Sequence, residues 1–196
     1  EGKKSRKGVE YGINALKAVF HRGAVDADGK TGDGAGIHLE IPSDFFAEKI
    51  EITGHQHDSS DICVGMIFLP RNNYEAQENA RTLVESELTK SNFNIYGWRQ
   101  VPVNTKVLGE KANFTRLEIT QVLFKNNDKS LRGKDLERKL YESRRKIEKE
   151  AIKNAIDGFY ICSLSSKSII YKGMFLAESI AEFYTDLNDE RFISRY

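Results

Sequence analysis

A chain of 196 residues is long enough for one domain, which at this size buries about 70% of the surface its unfolded form exposes. Its 30 lysines and arginines stand against 29 aspartates and glutamates, and a net charge of +1 supplies no field to draw in a polyanion, so generic nucleic-acid binding is disfavoured. No run approaches the ~18 apolar residues of a membrane helix, and the opening residues Lys3, Lys4, Arg6 and Lys7 precede no signal-peptide apolar stretch, so the segment reads as soluble with no membrane partner.

In chain order, Val9, Ile13, Leu16, Ala18, Val19 and Phe20 follow the helical period and predict a first helix over Val9–Phe20, ended by a glycine-rich loop from Gly23. Gly36 to Ile41 alternates apolar and polar residues and reads as a half-buried strand closed by Pro42. Ser43 can cap a short helix carrying Phe45, Phe46 and Ile50, and the apolar run Ile62–Leu69 predicts a central strand. Ala76, Ala80, Leu83, Val84 and Leu88 predict a helix over Asn73–Thr89, Phe93–Val103 has strand composition, and Leu117, Ile119 and Val122–Phe124 suggest another strand. The longest helix is predicted over Lys134–Ile156, with Leu136, Leu140, Ile147, Ala151 and Ala155 on one stripe of a densely charged segment. Phe159–Leu164 and Ser168–Tyr171 read as a hairpin joined by Ser165, Ser166 and Lys167, and Phe175–Tyr184 as a closing helix. Strands arriving in pairs between helices predict an α+β fold with antiparallel pairing, and three prolines with no Ser/Gly tract predict one continuous domain over residues 1–196.

The stretch His21-Arg22-Gly23-Ala24-Val25-Asp26-Ala27-Asp28-Gly29-Lys30-Thr31-Gly32-Asp33-Gly34-Ala35-Gly36 carries five glycines in fourteen residues from Gly23. A phosphate-binding loop is rejected, because five residues separate Gly23 from Gly29 where that motif needs four, and two aspartates would face the phosphates. A calcium-binding EF-hand loop is rejected because Gly29 follows Asp28 directly instead of occupying the sixth position. A tight surface loop whose glycines take positive φ explains the composition without any function. Against that stands Arg22, a guanidinium at a helix end where the backbone crowds close, able to bind a carboxylate or hold a thiolate.

From His21 to Pro42 the sequence resembles the class II glutamine amidotransferase domain of the glutamate synthase large chain. The likeness continues in order through Gly65-Met66-Ile67-Phe68-Leu69-Pro70, Gly97-Trp98-Arg99-Gln100-Val101-Pro102, Phe159–Ser165, Tyr171-Lys172-Gly173-Met174 and Phe183–Leu187. The resemblance implies an N-terminal-nucleophile hydrolase fold, a four-layer α/β/β/α sandwich with antiparallel sheets. It also implies a mechanism: a cysteine at the mature N-terminus, with its own α-amine as general base, attacks the side-chain amide of L-glutamine. Ammonia leaves, two amide donors stabilise the oxyanion, and water hydrolyses the glutamyl thioester.

Residue by residue, the resemblance implies that Arg22 is catalytic, positioning thiolate and substrate, and that Gly23, Arg99, Lys172 and Gly173 contact substrate. It further implies that Asp33, Gly34, Gly36 and Trp98 shape the adjoining loops, and that Gly97 and Trp98 belong to the pocket wall; a purely structural role for these residues stays open. Glu1 is not the expected cysteine, and Cys63 and Cys162 lie inside apolar runs, where inert core thiols are expected. The family's Cys-Gly-Val-Gly strand is expected before Glu1 and its Arg-Phe-Ser-Thr-Asn-Thr and His-Asn-Gly-Glu stretches after Tyr196, so the segment itself is expected to be an inactive internal part of the domain.

The resemblance places FMN and an iron-sulfur cluster on later synthase domains of the same chain, where ammonia meets 2-oxoglutarate, with electrons from a pyridine nucleotide, a small electron-donating subunit or ferredoxin. No metal is expected in this segment, and two cysteines without a disulfide framework suggest the cytoplasm, or a plastid if the source is photosynthetic. His55, His57, Asp58 and Asp61 read as solvent-exposed loop residues lacking a strong third ligand, and Arg144, Arg145 and Lys146 as a solvated helix face laced with Glu148 and Glu150. A second class of function stays open, an amidotransferase-like module retained for binding or assembly.

Overall fold

The structure is a computed structural model that describes residues 2–56 and 61–195. In chain order its elements are α1 (Arg6–Ala18), β1 (Ala35–Glu40), α2 (Ser43–Ile52), β2 (Ile62–Leu69), α3 (Tyr74–Lys90), β3 (Phe93–Gln100), α4 (Glu110–Thr115), β4 (Glu118–Asn126), α5 (Gly133–Lys153), β5 (Tyr160–Ser165), β6 (Ser168–Gly173) and α6 (Ile180–Phe183). Among them no helix is long and apolar enough to cross a membrane. The chain divides into two compact units, each assembled from separate segments: Glu1–Pro42, Val101–Arg116 and Ile170–Tyr196 form one, Ser43–Gln100 with Leu117–Ile169 the other. No linker composition marks the division because the chain passes between units inside or directly beside regular elements.

The second unit is built on a four-stranded sheet of order β3-β4-β2-β5, antiparallel throughout. Central β2 buries every residue except the half-buried Phe68, which is why its sequence shows an unbroken apolar run. Ile67 and Leu69 of β2 and Val122 and Phe124 of β4 meet Ala80, Val84 and Leu88 of α3 and Leu140 and Ile147 of α5 in one core. The period of 3.6 along the helices and of two along the strands selects these positions. Asn73 caps α3 by accepting a hydrogen bond from the Ala76 amide at 3.0 Å. Tyr96 of β3 is an extra residue against β4, and Cys162 of β5 is one against β2 between Met66 and Ile67, bending both pairings.

The first unit is held by different means. Its two strands, β1 and β6, pair with each other. Ser5 caps α1, taking the Gly8 amide at 3.2 Å, and α1 buries only Val9 and Ile13. Tyr171, Phe175, Phe183, Tyr184 and Phe192 form an aromatic core with ring centroids 4.7 Å apart for Phe183 and Tyr184 and 4.9 Å for Tyr171 and Tyr184. The buried carboxylate of Glu40 accepts from the Arg195 amide at 2.8 Å and its guanidinium at 3.1 Å, beside the Ser5–Ser194 bridge.

Several expected elements shift. The hairpin across Phe159–Tyr171 does not form: β5 pairs with β2, while β6 pairs with β1. Glu137 of α5 instead holds the intervening turn, accepting from the Ser165 hydroxyl (2.8 Å), the Ser166 amide (2.9 Å) and the Ser166 hydroxyl (2.6 Å). Helix α5 stops at Lys153, three residues before Ile156, with Ala155 in the left-handed region at φ 49°. The expected Phe175–Tyr184 helix begins as a 3-10 turn at Ala177–Ser179, and α4 has no counterpart among the sequence expectations because six residues carry too little periodicity.

Candidate active site

After α1 the chain tightens into a 3-10 turn over Phe20–Arg22, in which the Arg22 amide donates to Val19 (2.9 Å) and the Gly23 amide to Phe20 (3.0 Å). A narrow ladder follows. The Asp33 amide donates to Ala24 at 3.2 Å, Val25 bridges Gly32, and the Asp26 amide donates to Thr31 at 2.9 Å. At its tip Asp28 accepts hydrogen bonds from the Thr31 hydroxyl (2.6 Å), the Thr31 amide (2.7 Å) and the Lys30 amide (2.9 Å). These bonds, the Thr31 hydroxyl foremost, hold its carboxyl down at a pKa of about 2.

The tip is seated on α4. Lys111 pairs with Asp26 at 3.0 Å, lowering the Asp26 pKa and raising its own. A β-carbon on Gly109 would run into Asp28 Oδ2 and Thr31 Oγ1, so the loop lies flush against the helix start. Both aspartates that argued against a phosphate loop thus have structural partners, and an Asp followed by Thr three residues later is the sequence sign of that turn.

At the base of the ladder the predicted residues of this unit come together. Thr31 and Gly32 are buried, and a β-carbon on Gly32 would stand 2.6 Å from the Phe175 carbonyl oxygen. The Asp33 carboxylate lies 3.2 Å from the β-carbon position of Gly23, and the Gly173 oxygen 3.4 Å from that of Gly34. Gly36, within β1, has Lys172 Cβ at 2.8 Å from its own β-carbon position. The Tyr184 hydroxyl fixes this edge by donating to the Lys172 carbonyl at 2.7 Å. Gly23, Asp33, Gly34, Gly36, Lys172 and Gly173 therefore form one neighbourhood. Arg22 at its entrance is exposed, like every residue from His21 to Lys30, which leaves its guanidinium open to solvent.

Gly97, Trp98 and Arg99 lie on β3 in the other unit. Trp98 is a strand residue, not a loop residue: its indole donates to Glu85 of α3 at 2.7 Å, the Arg81 guanidinium lies 5.9 Å from its ring, and its body packs on the α3/α5 core. Strand alternation sends Arg99 to the opposite face, where it donates to Gln121 at 2.8 Å and stacks 5.1 Å from the Phe45 ring. Adjacent residues on one strand cannot both line a pocket on one face, so the Trp98 side chain belongs to the core.

Cys63 and Cys162 are buried free cysteines, and burial first, then Glu137 and Asp61, pushes the Cys63 thiol up to about 12. His55 is exposed, with Nδ1 2.8 Å from the Thr53 hydroxyl; His57 and Asp58 lie outside the described residues. Among the described residues no three His, Cys, Asp or Glu side chains converge as a metal site. Arg144 differs from the solvated face expected of it. While bonding Glu148 at 2.8 Å, it also reaches the Ile161 carbonyl of β5 at 2.8 Å.

The glutamate synthase (NADPH) large chain of Azospirillum brasilense is 54% identical over 196 residues, covering 100% of this chain and 13% of that protein. Ferredoxin-dependent glutamate synthase 2 of Synechocystis sp. is 36% identical over 196 residues, covering 100% and 12%. The chloroplastic ferredoxin-dependent glutamate synthase of Spinacia oleracea is 37% identical over 190 residues, covering 96% and 12%. The chain thus spans about an eighth of the length of the curated relatives it matches. The α+β fold, the antiparallel sheet and a family match to "Glutamine amidotransferases class-II" extending over residues 1–196 lead to one conclusion: this chain belongs to the class II glutamine amidotransferases, with their N-terminal-nucleophile hydrolase fold.

Proposed function

We propose that these 196 residues form part of a single glutamine-hydrolysing domain of a glutamate synthase, which releases ammonia from L-glutamine for the reductive amination of 2-oxoglutarate elsewhere in the same protein. The observation carrying this reading is identity of 54% to a glutamate synthase large chain along the entire segment, the Arg22 loop included. The nucleophile is the thiol of a cysteine at the mature N-terminus, whose α-amine takes the thiol proton. Carbon–sulfur bond formation at the glutamine amide expels ammonia, and water then cleaves the thioester to glutamate.

Arg22 is the group we assign to positioning thiolate and substrate, since its planar, permanently charged fork serves both. Gly23, Lys172 and Gly173 form the surface against which glutamine rests, shaped by Asp33, Gly34 and Gly36. Arg99 belongs to the other unit, where its guanidinium is bonded to Gln121, and is given no part in this surface. FMN and an iron-sulfur cluster belong to other domains of the complete protein. Cys63 and Cys162 are the chain's two cysteines, each buried singly in a strand, and they make no cluster-ligating set. Electrons come from a pyridine nucleotide or ferredoxin, and the compartment is the cytoplasm or a plastid.

The test is glutamine hydrolysis by the complete protein. Arg22→Ala is expected to lower kcat/KM for glutamine about 10²-fold, since it removes a charged group held at the reacting centre. A complete protein inert both to glutamine and to a thiol-alkylating glutamine analogue would overturn the reading and leave an amidotransferase-like binding module in its place.

A further inference from the structure

Resting on that reading, we infer that Asp28 is a positioning residue for glutamine hydrolysis: by clasping the loop tip to the start of α4, it fixes the Arg22–Gly23 turn at the other end of the ladder. Asp28 itself lies at the exposed tip, with three backbone pairings between it and the Arg22–Gly23 turn.

Three observations carry the connection. The tip is anchored, since Asp28, shaped by three hydrogen bonds from Lys30 and Thr31, sets its Oδ2 directly against Gly109 at the start of α4, where no β-carbon would fit, and Lys111 of α4 pairs with Asp26 at 3.0 Å. The two limbs between tip and base are locked together by the Asp26–Thr31, Val25–Gly32 and Ala24–Asp33 pairings, so a shift at the tip is passed along the ladder instead of being absorbed. The base is crowded: the Asp33 carboxylate lies 3.2 Å from where a β-carbon on Gly23 would stand, and Gly32 lies against the Phe175 backbone. A short segment with three pairings, anchored at one end and packed at the other, has little freedom to place Arg22 anywhere else, and misplacement by about 1 Å is enough to cost a catalytic group up to 10²-fold in rate.

The experiment measures glutamine hydrolysis by the complete protein in a double-mutant cycle. Asp28→Ala should lower kcat/KM about 10-fold, and Asp28→Asn, which keeps an acceptor for the Thr31 and Lys30 amides, should restore most of it. In the Arg22→Ala background, Asp28→Ala should add little, because the group it positions is gone. Unaltered activity in Asp28→Ala, or an equal further loss in the double variant, overturns the clasp while leaving the functional reading intact. A wild-type protein inert to glutamine overturns both.

Discussion

The four-stranded sheet and the glycine-rich ladder solve the same problem with opposite materials. In the sheet unit, order comes chiefly from apolar side chains that interdigitate between β2, β4, α3 and α5, joined by a few buried polar contacts such as the Thr120 hydroxyl donating to the Ile67 carbonyl at 3.1 Å. In the ladder and its surroundings, order comes from backbone pairing, aspartate-capped turns and glycines that let strands and loops approach closely. Apolar packing is tolerant of small changes in shape but sensitive to lost volume, whereas close backbone approach fails as soon as one atom is added. The role proposed for Arg22, a charged side chain held at an exposed position, suits the second material, since a hydrophobic core would bury such a group.

Removing volume from the sheet core should have the largest effect. Phe124→Ala, at a fully buried ring packed 5.4 Å from Phe93, is expected to destabilise the protein by about 3–5 kcal/mol in denaturant unfolding. A loss below about 1 kcal/mol would show that this core can collapse around a cavity and would weaken the contrast. Adding volume to the ladder comes next. Gly32→Ala puts a methyl 2.6 Å from the Phe175 oxygen and should destabilise by about 1–3 kcal/mol, with the chemical-shift changes concentrated around residues 24–36 and 173–176. A neutral outcome would mean that the base of the ladder yields, and the idea of a rigid Arg22 support would go with it.

The smallest effect is one of pH. The Asp28 carboxyl, held at about 2 by the Thr31 hydroxyl and the Thr31 and Lys30 amides, favours the folded loop wherever it is ionised. Its contribution is complete above its ordinary value of 3.8 and is lost as the pH falls from about 3.8 through about 2. A carboxyl titration followed by NMR that placed the Asp28 midpoint near 3.8 would show the clasp to be absent in solution.

Periodicity located β2 to the residue and α3 to within one residue at each end, because both lie in the core and their apolar spacing reports burial directly. It misjudged the β5–β6 connection for a reason that lies outside local sequence. Two adjacent strand-forming segments look like a hairpin whether or not they pair, and the choice is made by β2 and β1, nearly a hundred or more residues earlier. The glycine loop was recognisable as unusual, yet its composition alone did not say that Asp26 and Asp28 face α4, since α4 is too short to announce itself. Trp98 and Arg99 were grouped by motif and separated by strand alternation.

By itself the amino-acid sequence determined the α+β class, the antiparallel habit and the family, since these rest on apolar period and on a string of residues from His21 to Pro42 that no packing accident would reproduce. The tertiary structure decided which strands pair, how the chain divides into two units, and that Gly23, Asp33, Gly36 and Lys172 share one neighbourhood. Pairing partners and close backbone approaches are contacts between distant segments, and the entropy of closing those loops is repaid only by the assembled fold, so no local stretch carries their signature.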